Sequence, residues 1–368
     1  MIDGGGFSPP YDFGLVTALR TRGVDVELLL PAAVAREWQD PDAIPTTGGG
    51  RLLRGVRRAG KVVGHAARLA TIAWTVLRGR VDVVHFQWLP LPALDLVLLR
   101  WLHGRVPLVF TMHNTSLFHG TSAGIQGWKL DRCFPLFDRI VVHSEYSRDR
   151  AIDSGAARRE QLCVIPHGAF VHYAQLAPSR RERTPGPIQL LFAGAIKPYK
   201  GLGDLIEALG IVASERAPGS WHLTVAGHPS YPMAPLQQRA RDLGIDADIT
   251  WSLRHQSERE LARLLADTDA VILPYREIDQ SGVLLAAVGM HRPVIASAVG
   301  AFPEVLGGEG AGLLVQAGQP EALADAIVRF VHDERLRARS AEQMVALAQG
   351  GLSWEQVASK TEEMYRGL

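Results

Sequence analysis

Residues 271–304 read VILPYREIDQSGVLLAAVGMHRPVIASAVGAFPE. The run Val271–Pro274 is short and wholly apolar, as a strand buried on both faces of a sheet must be. A polar loop follows, then a helix from Ser281, a second apolar strand at Pro293–Ser297 and a turn that carries Gly300. This is the alternation of an open α/β sheet. Such sheets bind ligands where loops leave the carboxyl ends of strands and meet helix N-termini, whose outward N–H groups favour anions such as phosphate.

Outward from this stretch, the same alternation fills the chain. The first half reads as helix Tyr11–Arg22, strand Val24–Leu30, a basic helical stretch over 51–80, strand Val81–Phe86 and helix Leu91–Leu102. Strands Pro107–His113 and Asp138–Ser144, helix Glu145–Asp153 and strand Gln161–Pro166 complete it. Ala177–Pro187 is charged and Pro-rich, as linkers are. The pattern then restarts with strand Ile188–Ala193 and ends in an amphipathic helix at Trp354–Tyr365. The expected class is α/β: a first domain over 1–176, a linker at 177–187, a second domain over 188–352, and a closing helix at 353–368. Only Met1-Ile2-Asp3 precedes Gly4-Gly5-Gly6, so most of the first strand is expected to be missing, as when the true start lies upstream.

Of the 368 residues, 47% are hydrophobic and 21% charged, which fits a soluble globular protein. A net charge of +1 gives no pull toward nucleic acid. Cys133 and Cys163 are too few for a disulfide framework and suit a reducing cytoplasm. The first six residues have neither the basic region nor the apolar core of a signal peptide. Between Arg51 and Arg80 there are eight basic residues and no acid, with apolar residues interleaved at helical spacing. Two readings follow: a helix lying peripherally on the inner, anionic face of a membrane, or a surface helix packing its apolar side on its own sheet.

Chemistry-bearing residues gather at predicted strand ends. In LLFAGAIKPYKGLGDLIEAL (190–209), a strand runs into a loop with Gly194, Lys197, Lys200 and Gly201, and Lys200 is placed to meet a phosphate. Asp279-Gln280-Ser281-Gly282-Val283 begins a helix whose N–H groups suit a diphosphate. Thr111-Met112-His113-Asn114 and His85-Phe86-Gln87-Trp88 end two strands of the first half. Val142-His143-Ser144-Glu145 and Ile165-Pro166-His167-Gly168 end two more, where turn and cap chemistry is an equal reading. Asp246-Ala247-Asp248 and Asp267-Thr268-Asp269 fit a metal-binding spacing, but capping and turn roles explain both, so no metal ligand is assigned. No zinc spacing, P-loop or serine-hydrolase motif occurs.

In their order, these motifs resemble family 4 glycosyltransferases of the GT-B type over nearly the whole chain. The resemblance implies two Rossmann-like domains facing across a cleft, with the last helix crossing back to the first. It also implies transfer of a sugar from a nucleotide-diphosphate sugar to a hydroxyl acceptor, with retention of configuration and no metal. Polysaccharide or glycoconjugate synthesis would be the setting, with a glycan, a lipid-linked molecule or a natural product as acceptor. No cofactor is implied beyond the nucleotide sugar as co-substrate. His113 would contact the donor sugar and Lys200 the leaving diphosphate. Donor contacts would come from Gly5, Gly6, Gly194, Lys197, Gly201, Asp279, Gln280, Ser281, Gly282 and Val283. Tyr11, His85, Gln87, Trp88 and Asn114 would lie on the acceptor side. Three positions depart from the pattern: Ala195 stands for an arginine, and Ile278 and Ala286 for two glutamates. These departures motivate the alternative, a GT-B-like binding or scaffold protein impaired in transfer.

Overall fold

The computed structural model describes residues 1–31, 34–36, 51–115, 130–177, 186–216, 220–307 and 310–368. The described chain divides into two compact units. One holds the residues up to Gly168 together with Trp354–Leu368, and the other holds Ala169–Ser353. Residues 169–176, expected in the first domain, thus belong with the second. The cause is local: the Ala169 N–H donates to Leu352 O, the Phe170 N–H donates to Leu285 O, and Tyr173 packs into the second unit's core. The core of the expected linker lies outside the described residues.

The first unit carries a parallel sheet of β1 (Ile2–Asp3), β2 (Val84–Trp88), β3 (Leu108–Thr111), β4 (Arg139–Val142) and β5 (Leu162–Val164), in that spatial order. Side chains alternate between its faces as the pleat requires. Phe110, Ile140 and Val142 face one core with the helix Pro92–Leu102, while Val109 and Val141 face another with Tyr11, Leu15 and Leu19 of the helix Pro9–Thr21. Val357 and Ala358 of the closing helix Trp354–Arg366 join that second core. Gly14 and Gly168 make room for its Trp354: a Cβ on either would lie within 2.5 Å of the indole. The expected strand Val24–Leu30 is reduced to a single bridge, Leu29 to Ile2. β2 begins three residues later than expected, at Val84.

The second unit's sheet runs β11-β10-β9-β6-β7-β8, with β6 (Ile188–Ala193), β7 (Trp221–Ala226), β8 (Ile249–Ser252), β9 (Ala270–Leu273), β10 (Val294–Ser297) and β11 (Gly312–Val315) all parallel. Ile188, Leu190 and Phe192 pack on one face, Leu191 and Ala193 on the other. The chain starts at β6, moves outward through β7 and β8, and returns to the other side of β6 as β9. A doubly wound sheet binds ligands at this reversal, because the two loops diverge there. β11 was not foreseen; its four half-buried residues give a weak strand signal. Among the described residues, no helix is long and apolar enough to cross a membrane.

Candidate functional site

At the reversal in the second unit, the loop after β6 and the loop after β9 meet. Gly194 follows β6 with φ +91, and a Cβ there would lie 3.1 Å from both Lys200 Nζ and Val283 Cγ2. The ammonium therefore stands beside the start of the helix Gly282–Gly289. It lies 5.1 Å from the centroid of the buried Tyr275 ring. Lys200 is 7% exposed, and among the described residues it makes no ion pair. Burial pulls its pKa below the ordinary value, with Tyr199 opposing weakly.

Ser281 caps the helix by accepting from the Leu284 N–H at 3.4 Å, and the Leu285 N–H returns to Ser281 O. The first amides, of Gly282 and Val283, have no intrahelical acceptor, as in any helix. A helix N-terminus and a buried cation thus share one spot, with no counter-charge among the described residues. That combination selects an anion with several oxygens, such as a diphosphate.

Two contacts fix the loops to each other. Arg276 donates through Nε and Nη2 to the Asp204 carboxylate at 2.9 and 2.7 Å, and its amide donates to Tyr199 O at 2.8 Å. Gly201, with φ +67, lies so close to Pro274 that a Cβ would be 1.9 Å from the carbonyl oxygen. Sequence reasoning missed Asp204, Tyr275 and Arg276, because a salt bridge across 72 positions leaves no local signature. Lys197 lies 6.0 Å from the Tyr199 ring and Gln280 is half-buried. Asp279, also expected at the donor, is 3% exposed. Ala286 is buried in the core, and its methyl group offers a ligand no hydrogen bond.

The first unit treats its glycine loop differently. Asp3, fully buried, accepts from the amides of Gly5 and Gly6 at Oδ1 (3.1 and 2.7 Å) and of Phe7 and Ser8 at Oδ2 (2.7 and 3.0 Å). The loop amides are thereby committed within the chain. Asp12, also fully buried, lies beside Asp3, and burial and then that carboxylate raise its pKa well above the ordinary value.

Beyond the loop stands an aromatic and histidine cluster. Tyr11 packs edge-on against His113 and His167, with centroids 4.8 and 4.7 Å away, and tilted against His143 at 5.2 Å. Trp88 stacks on His113 at 5.2 Å and 13°. His113 Nε2 is 3.0 Å from the Gln87 side-chain amide, and its Nδ1 is 3.3 Å from His143 Nε2. Burial, then neighbouring histidines, holds the His113 pKa well below its ordinary value. Tyr11, His85 and Gln87, expected to face an acceptor, are at most 2% exposed; His85 instead bonds Tyr365 and Thr111. Of that group, Asn114 is exposed and Trp88 half-buried. His143 and His167 were legible as strand-end motifs, whereas the role of Asp3 was not, since one acid before three glycines carries no pattern of its own.

Neither Asp-x-Asp pair lies at these sites. Asp246 accepts from the Trp251 indole N–H at 3.2 Å, and Asp269 accepts from the Gln189 amide at 2.9 Å.

Comparison with known proteins places this geometry. Residues 13–170 match the family described as Glycosyltransferase Family 4, and residues 187–333 match Glycosyl transferases group 1. A D-inositol 3-phosphate glycosyltransferase of Nocardioides sp. is 30% identical over 317 residues, covering 78% of this chain and 68% of that enzyme. A GDP-mannose:glycolipid 4-beta-D-mannosyltransferase of Xanthomonas campestris is 28% identical over 235 residues; the match covers 60% of this chain and spans 62% of that enzyme's length. Among solved structures, the Anabaena protein HepE in complex with UDP superposes with a TM-score of 0.72 at 18% identity, over 100% of this chain and 99% of that one. A glycosyltransferase from Rickettsia africae gives 0.69 at 15% identity, over 100% and 97%. Two doubly wound parallel sheets in GT-B order and family matches across both halves make this chain a member of glycosyltransferase family 4.

Proposed function

We propose that this protein transfers a sugar from a nucleotide-diphosphate sugar to a hydroxyl acceptor, with retention of configuration and without a metal. The observation that carries the reading is Lys200, a buried cation that makes no ion pair among the described residues and lies at the N-terminus of the helix Gly282–Gly289. The barrier to transfer is departure of a diphosphate from an oxocarbenium-like centre. Positive charge fixed beforehand at the leaving group lowers that barrier with little reorganisation. Lys200 and the amides of Gly282 and Val283 supply it. His113, held neutral by burial, contributes a hydrogen-bonding contact to the sugar rather than charge.

A thermal-shift screen of nucleotide sugars, followed by product analysis with a captured acceptor, tests the reading. A bound donor raises stability by RT ln(1 + [L]/Kd), so micromolar affinity gives a clear shift at millimolar donor. No shift with any donor would favour the scaffold alternative, which Ala195, Ile278 and the buried Ala286 motivate.

Peripheral contact with an anionic membrane is part of the same proposal. The helix Arg51–Leu77 exposes Val63, Trp74 and Leu77, and the Arg78 guanidinium lies 4.2 Å over the Trp74 ring. An apolar stripe beside basic residues suits a surface of anionic lipid. Replacing Arg54, Arg57, Arg58 and Lys61 by Gln should release the protein from anionic liposomes; unchanged binding discards the contact.

A further inference from the structure

The histidine chain of the first unit fixes where its hydrogens lie. Ile165 O can only accept, and His143 Nδ1 lies 3.0 Å from it in a buried position, so that nitrogen carries the hydrogen. Burial pulls the His143 pKa down to about 4, so at neutral pH the ring has a single N–H and its Nε2 is a bare acceptor. That Nε2 lies 3.3 Å from His113 Nδ1, which must then be the donor. Stacking of Trp88 on one face of His113 and the edge of Tyr11 against it hold the ring's plane.

We infer that His143 is a positioning residue that locks His113 as the Nδ1–H tautomer and leaves its Nε2 as a hydrogen-bond acceptor. The rest of the network accommodates this once the Gln87 amide, placed with its Oε1 toward His113 Nε2, is turned. Gln87 must turn its NH2 toward His113 Nε2 at 3.0 Å, the two ends of an amide being exchangeable by a half-turn. Its oxygen then faces His85 Nε2 at 3.5 Å. The Tyr365 hydroxyl donates to His85 Nδ1, and His85 Nε2–H donates to Thr111 Oγ1 at 2.7 Å. Each neutral ring then donates once.

The lock restricts what His113 can do. A neutral imidazole with a bare Nε2 accepts a hydrogen from a sugar hydroxyl, sharing its lone pair with the Gln87 N–H. It cannot serve as the acid that protonates a leaving group. This consequence rests on the proposed donor reading; the tautomer itself does not.

Two-bond proton–nitrogen spectra of the full chain, labelled with ring-15N histidine, test the inference. His113→Asn identifies the signal. The expected result is a protonated Nδ1 and a bare Nε2 for His113. His143→Asn keeps a donor toward Ile165 O but removes the acceptor, so His113 should move toward the Nε2–H form. His143→Gln, whose amide oxygen can take the place of Nε2, should restore the original signal. A protonated Nε2 in the unmodified chain overturns the inference, as does a His113 signal unmoved in His143→Asn. In parallel, affinity for UDP-glucose or GDP-mannose, whichever binds, is compared with that for the bare nucleoside diphosphate. His143→Asn should lower the advantage of the sugar about tenfold, about 1.4 kcal/mol. A moved signal with an unchanged advantage keeps the lock and removes His113 from the sugar contacts.

Discussion

The two units place a glycine loop after the first strand of a doubly wound sheet and use it in opposite ways. In the first, four amides converge on the carboxylate of Asp3, so the loop is closed by the chain's own anion. In the second, Gly194 and Gly201 let Lys200 reach a helix start where, among the described residues, no side-chain carboxylate pairs with it. The same backbone device is closed by an acid that precedes the glycines in the first unit and stands beside a lysine in the second. A glycine cluster alone therefore does not locate a phosphate site. The charge beside it decides.

Asp3→Ala should break this contrast most severely. It strands four partly buried amide donors, and about 2–4 kcal/mol of stability should be lost in urea unfolding. Diphosphate affinity should survive wherever the fold does. Weaker diphosphate binding in a folded Asp3→Ala protein would show that the first loop also serves the ligand.

Acidification should separate the units next. In the unfolded chain a histidine takes a proton below its ordinary 6.5, whereas folded His143 does so only near about 4 and His85 near about 3. Between those values the unfolded state binds more protons, so stability falls as pH is lowered through the window. His143 alone contributes a loss on the order of 3 kcal/mol. Hydrogen exchange should show β3 and β4 loosening before β6 and β7; simultaneous loosening would refute the assignment to the first unit.

Gly201→Ala comes third. Its φ of +67 and the Pro274 carbonyl 1.9 Å from a new Cβ should cost about 3 kcal/mol. Unlike Asp3→Ala, it should also abolish diphosphate binding, because Lys200 precedes it. Ser281→Ala is the mildest: loss of the cap should cost about 1 kcal/mol, with at most a severalfold change in diphosphate affinity.

Much of this architecture was readable from residues alone. Apolar β runs such as Ile188–Ala193 announce themselves, because burial on both faces leaves no room for polar positions. Val24–Leu30 misled for the opposite reason: Asp25 and Glu27 break the run, and Leu29 alone pairs with β1. Lys200, Gly194 and Ser281, the residues of the proposed site, were legible because a lysine, a glycine after a strand and a helix cap act through local geometry. The first unit's cluster was harder. Tyr11, Gln87 and His85 lie at strand and helix ends, where ligand contacts are common, yet they turn inward to one another. Whether such a side chain faces solvent or a neighbouring ring depends on packing between distant segments, which spacing does not encode. Asp3 and the Arg276–Asp204 bridge belong to the same class of long-range or pattern-free contacts.

The central claim is that the diphosphate is held by Lys200 and the Gly282–Gly289 helix start. Calorimetric titration of UDP and GDP into the unmodified protein and into Lys200→Ala tests it most directly. Loss of a charge-assisted contact of about 1.5–3 kcal/mol should weaken binding about 10–100-fold. The melting temperature should stay level or rise, because a desolvated ammonium is removed. Equal affinity of the two proteins for both nucleotides would contradict the claim.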